Sequence, residues 1–212
     1  MQDEVIIYGS GGNRAARCVW TVNELQLEAQ FVNHPDLIGS DELRLVHPQA
    51  KLPAALINGV AIFESSAICM QLCDLNPAAG LLPRSGTKER GAAAQWISFA
   101  QSEIEAYLWH SFRASRLHPS LKTTEFQLSF NNESASAGLQ VLSNRMESTN
   151  FLLGKNFSVA DIIVGWTVNW AIKMSLVESK SSLHDYLARL KAQTVQLVSY
   201  DLRSSKRNAI NS

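Results

Sequence analysis

The chain predicts a two-part protein, a small α/β layer followed by an all-helical half. Three observations carry that reading. Over residues 5–75, apolar runs of strand length alternate with amphipathic stretches of helix length. Asn58-Gly59 stands between two apolar runs, and that dipeptide supplies the positive φ values a tight hairpin needs. Residues 76–90, "NPAAGLLPRSGTKER", hold two prolines and two glycines, and everything after them is helical in pattern. The expected division is therefore 1–77 for the α/β domain, 78–90 for a linker and 91–212 for the helical domain.

Val5–Tyr8 reads as the first strand. Residues 14–27 follow as a helix with Ala15, Cys18, Val22 and Leu25 at helical spacing. Residues 29–33 read as a second strand and residues 40–46 as a short helix. The hairpin at Asn58-Gly59 comes next, and then a helix over residues 65–75 that stops at Asn76-Pro77. In the helical half, "AAAQWISFAQSEIEAYLWHSF" puts Ile97, Ala100, Ile104 and Leu108 on one face. Trp96, Phe99, Glu103, Tyr107 and His110 fall on a second face, which suits burial between helices, a pocket or a subunit interface. "FSVADIIVGWTVNWAIKMSL" is a strongly apolar helix opened by Ser158-x-x-Asp161, a capping box, with Phe157 and Ile162 placed as its hydrophobic staple.

Composition narrows the function classes. Hydrophobic residues make up 46% and charged residues 18%, as in ordinary globular proteins. Lys plus Arg equals Asp plus Glu at 19 each, so no bulk field favours nucleic acid or an acidic membrane. No apolar run reaches membrane-spanning length, and the acidic start "MQDEV" lacks the layout of a signal peptide. Three cysteines make no disulfide framework, so a reducing, cytoplasmic setting is expected. Cys69 and Cys73 are spaced for half a metal site, but without a nearby histidine they read as buried thiols, and no metal is expected. Residues 204–212 read as a polar, slightly basic tail.

The glycine-rich turn Gly9-Ser10-Gly11-Gly12 follows a strand and precedes a helix, the setting in which N–H groups converge on an anion. A dinucleotide loop needs a final glycine where this chain has Arg14, and a P-loop needs Gly-Lys-Ser/Thr, which is absent. The phosphate reading fails on spacing.

Two further motifs account for the turn. Lys51-Leu52-Pro53-Ala54 precedes Glu64-Ser65-Ser66-Ala67-Ile68, and Ser158-Val159-Ala160-Asp161 opens the apolar helix. In this order and separation they resemble the cytosolic glutathione transferases, over about residues 4 to 200. The resemblance implies a thioredoxin-like N-terminal domain joined to an all-α C-terminal domain. It implies glutathione as co-substrate, a small hydrophobic electrophile as second substrate, a detoxifying conjugation and a homodimer. It assigns Leu52 to pair its backbone with the cysteinyl unit before a cis Pro53, and Lys51 to face the glycine carboxylate. Ser65 is assigned to the γ-glutamyl carboxylate and Glu64 to the γ-glutamyl amino group.

The turn would then point a helix N-terminus at the thiol, where dipole and N–H groups favour thiolate. Asn13 occupies the position where serine-type members carry serine. Its amide can donate but cannot act as nucleophile or base. Ser10 is the alternative thiol partner, with Tyr8 an outside candidate that packs more naturally in the sheet. The loop holds no cysteine, which argues against a disulfide-exchanging enzyme. The resemblance implies an electrophile pocket between the halves, lined by the loop at Ser10–Asn13, residues near Leu37 and the helix bearing Tyr107, His110 and Ser111. A non-catalytic glutathione- or protein-binding member, and a peroxidase or isomerase using the same site, stay open.

Overall fold

The computed structural model describes residues 3–114 and 124–193, so the tail over 204–212 lies outside the described residues. The described residues form two compact units, the first made of residues up to Asn76 together with 191–193 and the second running from Pro77 to Leu190.

The first unit is a four-stranded sheet with helices. In chain order come β1 (Val5–Tyr8), α1 (Ala15–Glu24), β2 (Gln30–Val32), α2 (Asp41–Arg44), β3 (Ala54–Ile57), β4 (Val60–Phe63) and α3 (Ser65–Leu75). The strand order is β2-β1-β3-β4, with β1 and β2 parallel and the other pairs antiparallel. Asn58 and Gly59 both take positive φ, 50° and 77°, as a two-residue hairpin turn requires. Register decides what meets at the sheet edge. Tyr8 pairs with Ala54, and Ala54 pairs with Phe63. The glycine turn after β1, the Lys51–Pro53 segment before β3 and Glu64 after β4 therefore share one end of the sheet.

Helix α1 stops at Glu24 rather than at residue 27. Gln26 adopts φ 52°, its N–H donates to Asn23 and the Leu27 N–H donates to Val22. That is a Schellman ending built on glutamine, so the glycine that would have marked it is missing from the sequence. Ser175, at φ 60°, ends the main apolar helix the same way, with Ser175 and Leu176 N–H groups donating to Ile172 and Ala171.

The second unit contains α4 (Lys88–Ala100), a π turn (Gln101–Glu105), α5 (Ala106–Phe112), α6 (Glu125–Ser148), α7 (Val159–Lys173) and most of α8 (Ser182–Gln193). Residues 78–90, expected as a linker, are part of its packing. Leu81 and Leu82 are buried, the Leu81 carbonyl accepts the Val159 N–H at 2.8 Å, and α4 begins at Lys88. Ile97, Ala100, Ile104 and Leu108 are all buried, as their spacing predicts. The π turn packs on Gly138 of α6. A Cβ there would lie 2.6 Å from Ile104 Cγ1 and 2.7 Å from the Glu103 carbonyl oxygen, so only glycine lets the two backbones approach. Asp161 does more than close the capping box, because its carboxylate also receives the Leu152 N–H and the Tyr186 hydroxyl.

Candidate functional site in the α/β unit

Positive φ and close approach shape the end of β1. Gly9 takes φ 99°, and a Cβ on it would meet the Ala15 Cβ at 2.8 Å, so glycine brings the strand end against the first turn of α1. The Gly9 N–H donates to Val32, tying the turn to β2. Asn13 then starts the helix: its Oδ1 accepts the Ala15 N–H at 2.8 Å and its carbonyl accepts the Ala16 N–H. With the oxygen spent on the backbone, the Asn13 amide NH2 is the end that a ligand could use. Ser10 is half-buried in the same turn. Tyr8 packs against the cluster of Leu37, Leu43, Val46, Ala50 and Ala54 and supports the sheet.

Helices α1 and α3 pack together with their N-termini at this end of the sheet. Arg17, wholly buried on α1, donates from Nη1 to the Ser65 Oγ at 3.0 Å. Ser65 is itself 1% exposed and opens α3. Helix N-terminal N–H groups, a hydroxyl and a buried guanidinium together favour an anionic group. Glu64, just before α3, is exposed and sits at φ 73°, ψ 118°. A non-glycine residue held there costs of order 1 kcal/mol, the kind of local strain that gathers at binding sites.

On the other side, the Leu52–Pro53 peptide is cis, Pro53 is buried and Leu52 half-buried. Lys51 is exposed, and its Nζ donates to Gln49 Oε1 at 2.6 Å. His47 lies beneath this segment, 7% exposed, its ring centroid 5.0 Å from that of Phe63. Burial holds its pKa below the ordinary histidine value, against the raising influence of Glu64. Lys51, Leu52, Pro53, Glu64 and Ser65 thus share one end of the sheet with Asn13 and Ser10.

The sequence assigns no site role to Arg17, His47 or Gln49. The available signal for Arg17 was a charge on the apolar face of an amphipathic helix. Nothing in the spacing marked His47. Cys18, Cys69 and Cys73 are buried thiols. The pKa of the Cys18 thiol is raised by its hydrogen bond with Cys69 and by burial, which suits a core thiol rather than a reactive one. Among the described residues no group of three or more His, Cys, Asp or Glu could hold a metal. No helix among them is long and apolar enough to cross a membrane.

Residues 8–80 match the family model for the glutathione S-transferase N-terminal domain. Over those residues the chain carries a glutathione S-transferase N-terminal domain. It is 25% identical over 189 residues to glutathione transferase GST 23 of Zea mays, covering 88% of this chain and 81% of that one. It is also 25% identical over 171 residues to the disulfide-bond oxidoreductase YfcG of Escherichia coli, covering 72% and 77%. Elongation factor 1-gamma of Rattus norvegicus is 30% identical over 136 residues, 62% of this chain but only 29% of that protein. The chain thus spans under a third of the length of that relative. Among solved structures, a glutathione transferase from Methylococcus capsulatus superposes with a TM-score of 0.76 at 23% identity, covering 89% of this chain and 93% of that one. The fold is therefore the transferase fold, a thioredoxin-like unit followed by helices. The transferase-family relatives themselves differ in the function their names state, so kinship alone does not select the reaction.

Proposed function

We propose that this chain binds glutathione at the shared end of the sheet, stabilises its thiolate and conjugates it to small hydrophobic electrophiles. One observation carries the reading: the Arg17–Ser65 hydrogen bond at the N-terminus of α3, beside an exposed and strained Glu64. An anion-favouring hydroxyl next to a lone carboxylate suits the γ-glutamyl end of the tripeptide, which has a carboxylate and an ammonium on one carbon. Lys51 would take the glycine carboxylate at the far end as a point charge. The backbone of Leu52, held before cis Pro53, would pair with the cysteinyl unit between them.

At the thiol, α1 contributes its dipole and the Asn13 amide a neutral donor, with Ser10 the other side chain in the turn. Both features favour sulfur as the anion. A homodimer goes with this reading, through the second face of the helical unit. Trp96 and Phe99 stack edge to face at 5.9 Å there, and Phe126 and Phe130 stand exposed. The three buried thiols accord with a cytoplasmic setting.

The test is glutathione affinity measured beside initial rates with a panel of electrophiles and hydroperoxides. Saturable binding with conjugation supports the proposal, turnover of hydroperoxides alone makes it a peroxidase, and no binding removes it. A second reading, a glutathione- or protein-binding member without catalysis, rests on Asn13. Its oxygen is committed to capping α1, and no side chain of the turn can act as a base. Binding without turnover on any electrophile is the result that would select it.

A further inference from the structure

The segment before Pro53 is organised by His47. Its own N–H donates to Leu43 at 2.8 Å, which fixes it to the end of α2. Its carbonyl accepts the Ala50 N–H at 2.8 Å, closing a turn with Pro48 at the position where proline is preferred. Its ring Nδ1 accepts the Gln49 N–H at 3.0 Å. A side chain that accepts from the N–H two residues ahead is the device asparagine and aspartate use in turns, here made with an imidazole. Gln49 in turn holds the Lys51 ammonium through its Oε1. The chain of contacts runs from His47 through Gln49 to Lys51.

We infer that His47 is a positioning residue whose neutral imidazole sets the Lys51 arm, so that protonating it weakens glutathione binding at the glycine carboxylate. The inference rests on the glutathione reading above. Nδ1 can accept only while it carries no proton, and an imidazolium would aim an N–H at the Gln49 N–H. Two donors then face each other at a ring that is itself only 7% exposed. The charged groups around the ring do not relieve this. Glu64 at the end of β4 favours the imidazolium and Lys51 opposes it. On α2, Asp41 and Arg44 lie within 3.5 Å of each other, and Glu42 pairs with His34.

A competing effect has the opposite sign. A positive His47 beside Lys51 would attract an incoming carboxylate, and binding would tighten at acid pH. Geometry decides between the two. The donor clash acts at hydrogen-bond contact, whereas the added charge acts across a rim where Lys51 is already exposed to screening water.

The experiment has two arms on the full chain. In the first, the His47 ring and the Gln49 backbone amide are followed by NMR from pH 7.5 to 5 without ligand. In the second, glutathione affinity is measured over the same range for the parent and for His47→Asn, whose Oδ1 can accept the same N–H but does not titrate. The Gln49 amide should shift with the midpoint of the His47 ring. Affinity should fall roughly threefold to tenfold in the parent, the loss expected for one hydrogen bond, and less than twofold in His47→Asn. An amide that ignores the His47 midpoint overturns the inference whatever glutathione does. So does an equal pH dependence in both proteins, or tighter binding at acid pH. Absence of glutathione binding at pH 7.5 would strike the glutathione reading instead, and with it the claim about affinity, leaving the turn to be judged by the first arm.

Discussion

Asp161→Ala should be far more damaging than the loss of a helix cap. The Asp161 carboxylate receives the Ser158 N–H at 2.9 Å, the Ser158 hydroxyl at 2.8 Å, the Leu152 N–H at 2.8 Å and the Tyr186 hydroxyl at 3.0 Å. All four residues are buried, with Asp161 at 0% exposure and the other three at 2% or less. Removing the carboxylate strands three donors that cannot turn to solvent, the two N–H groups and the phenol. At about 1–3 kcal/mol for each buried donor left unmade, with water entering part of the space, the cost is about 3–6 kcal/mol. Ser158→Ala removes one of four donors and should cost about 1 kcal/mol, the usual value for a cap. Tyr186→Phe should fall between, at about 1–2 kcal/mol. Urea unfolding monitored by tryptophan fluorescence measures all three at equal m-value.

The pH dependence is fixed in sign. Burial raises the Asp161 pKa above the ordinary carboxylate value, against the lowering by its hydrogen bonds. A carboxyl raised in the folded state binds its proton more tightly there. The extra stability that this shift contributes is fully present below the unfolded pKa and is lost as pH rises through the folded one, leaving the hydrogen bonds of the carboxylate itself. The margin of the parent over Asp161→Ala should therefore be widest at the acid end. An Asp161→Ala cost equal to that of Ser158→Ala would refute the hub and reduce Asp161 to a cap.

The remaining expectations concern the site and one packing contact. Ser65→Ala should weaken glutathione binding by about 1.5–3 kcal/mol, as for a hydrogen bond to a charged group. It should also destabilise the fold by about 1 kcal/mol, because buried Arg17 loses its hydroxyl partner; calorimetric titration and urea melts check the pair. Lys51→Ala should cost less binding, its amine being exposed. Asn13→Ala should slow conjugation about tenfold to a hundredfold and Ser10→Ala less, with the order reversed if Ser10 is the thiol's partner. Asn13→Ser retains a capping oxygen for the Ala15 N–H and should keep activity; thiolate absorbance against pH reports which variant raises the thiol pKa. Gly138→Ala should cost about 1–3 kcal/mol by overpacking against the π turn, read from its melting curve.

The sequence carried the fold wherever a residue type has one strong conformational meaning. Asn58-Gly59 placed the hairpin, and Ser65–Leu75 and the Ser158-x-x-Asp161 box placed two helices at their first turns. Legibility failed where an unusual residue took a common job. Gln26 and Ser175 end helices in a conformation that glycine normally signals, so α1 read three residues too long. The proline- and glycine-rich stretch at 78–90 looked like a linker because local composition cannot show that Leu81 is anchored to Val159 across the helical unit.

The site divides along the same line. Lys51, Leu52, Pro53, Glu64 and Ser65 could be named because each contributes its own charge, hydroxyl or backbone, properties visible one residue at a time. Arg17, His47 and Gln49 could not, since each acts on another member of the set. Arg17 acts across two helices on Ser65, 48 positions away. His47 acts on a neighbour's amide through a lone pair that exists in one protonation state only. Asn13 belongs to both classes. Its position was legible, but its oxygen is consumed by the Ala15 N–H, a use that only the folded turn reveals. What remains on Asn13 is its NH2, so stabilisation of a thiolate must come from that group or the Ser10 hydroxyl together with the α1 dipole and the open N–H groups of its first turn. A site so built would lower a thiol's pKa without taking its proton, and its rate should track the thiolate fraction rather than the titration of any side chain in the turn.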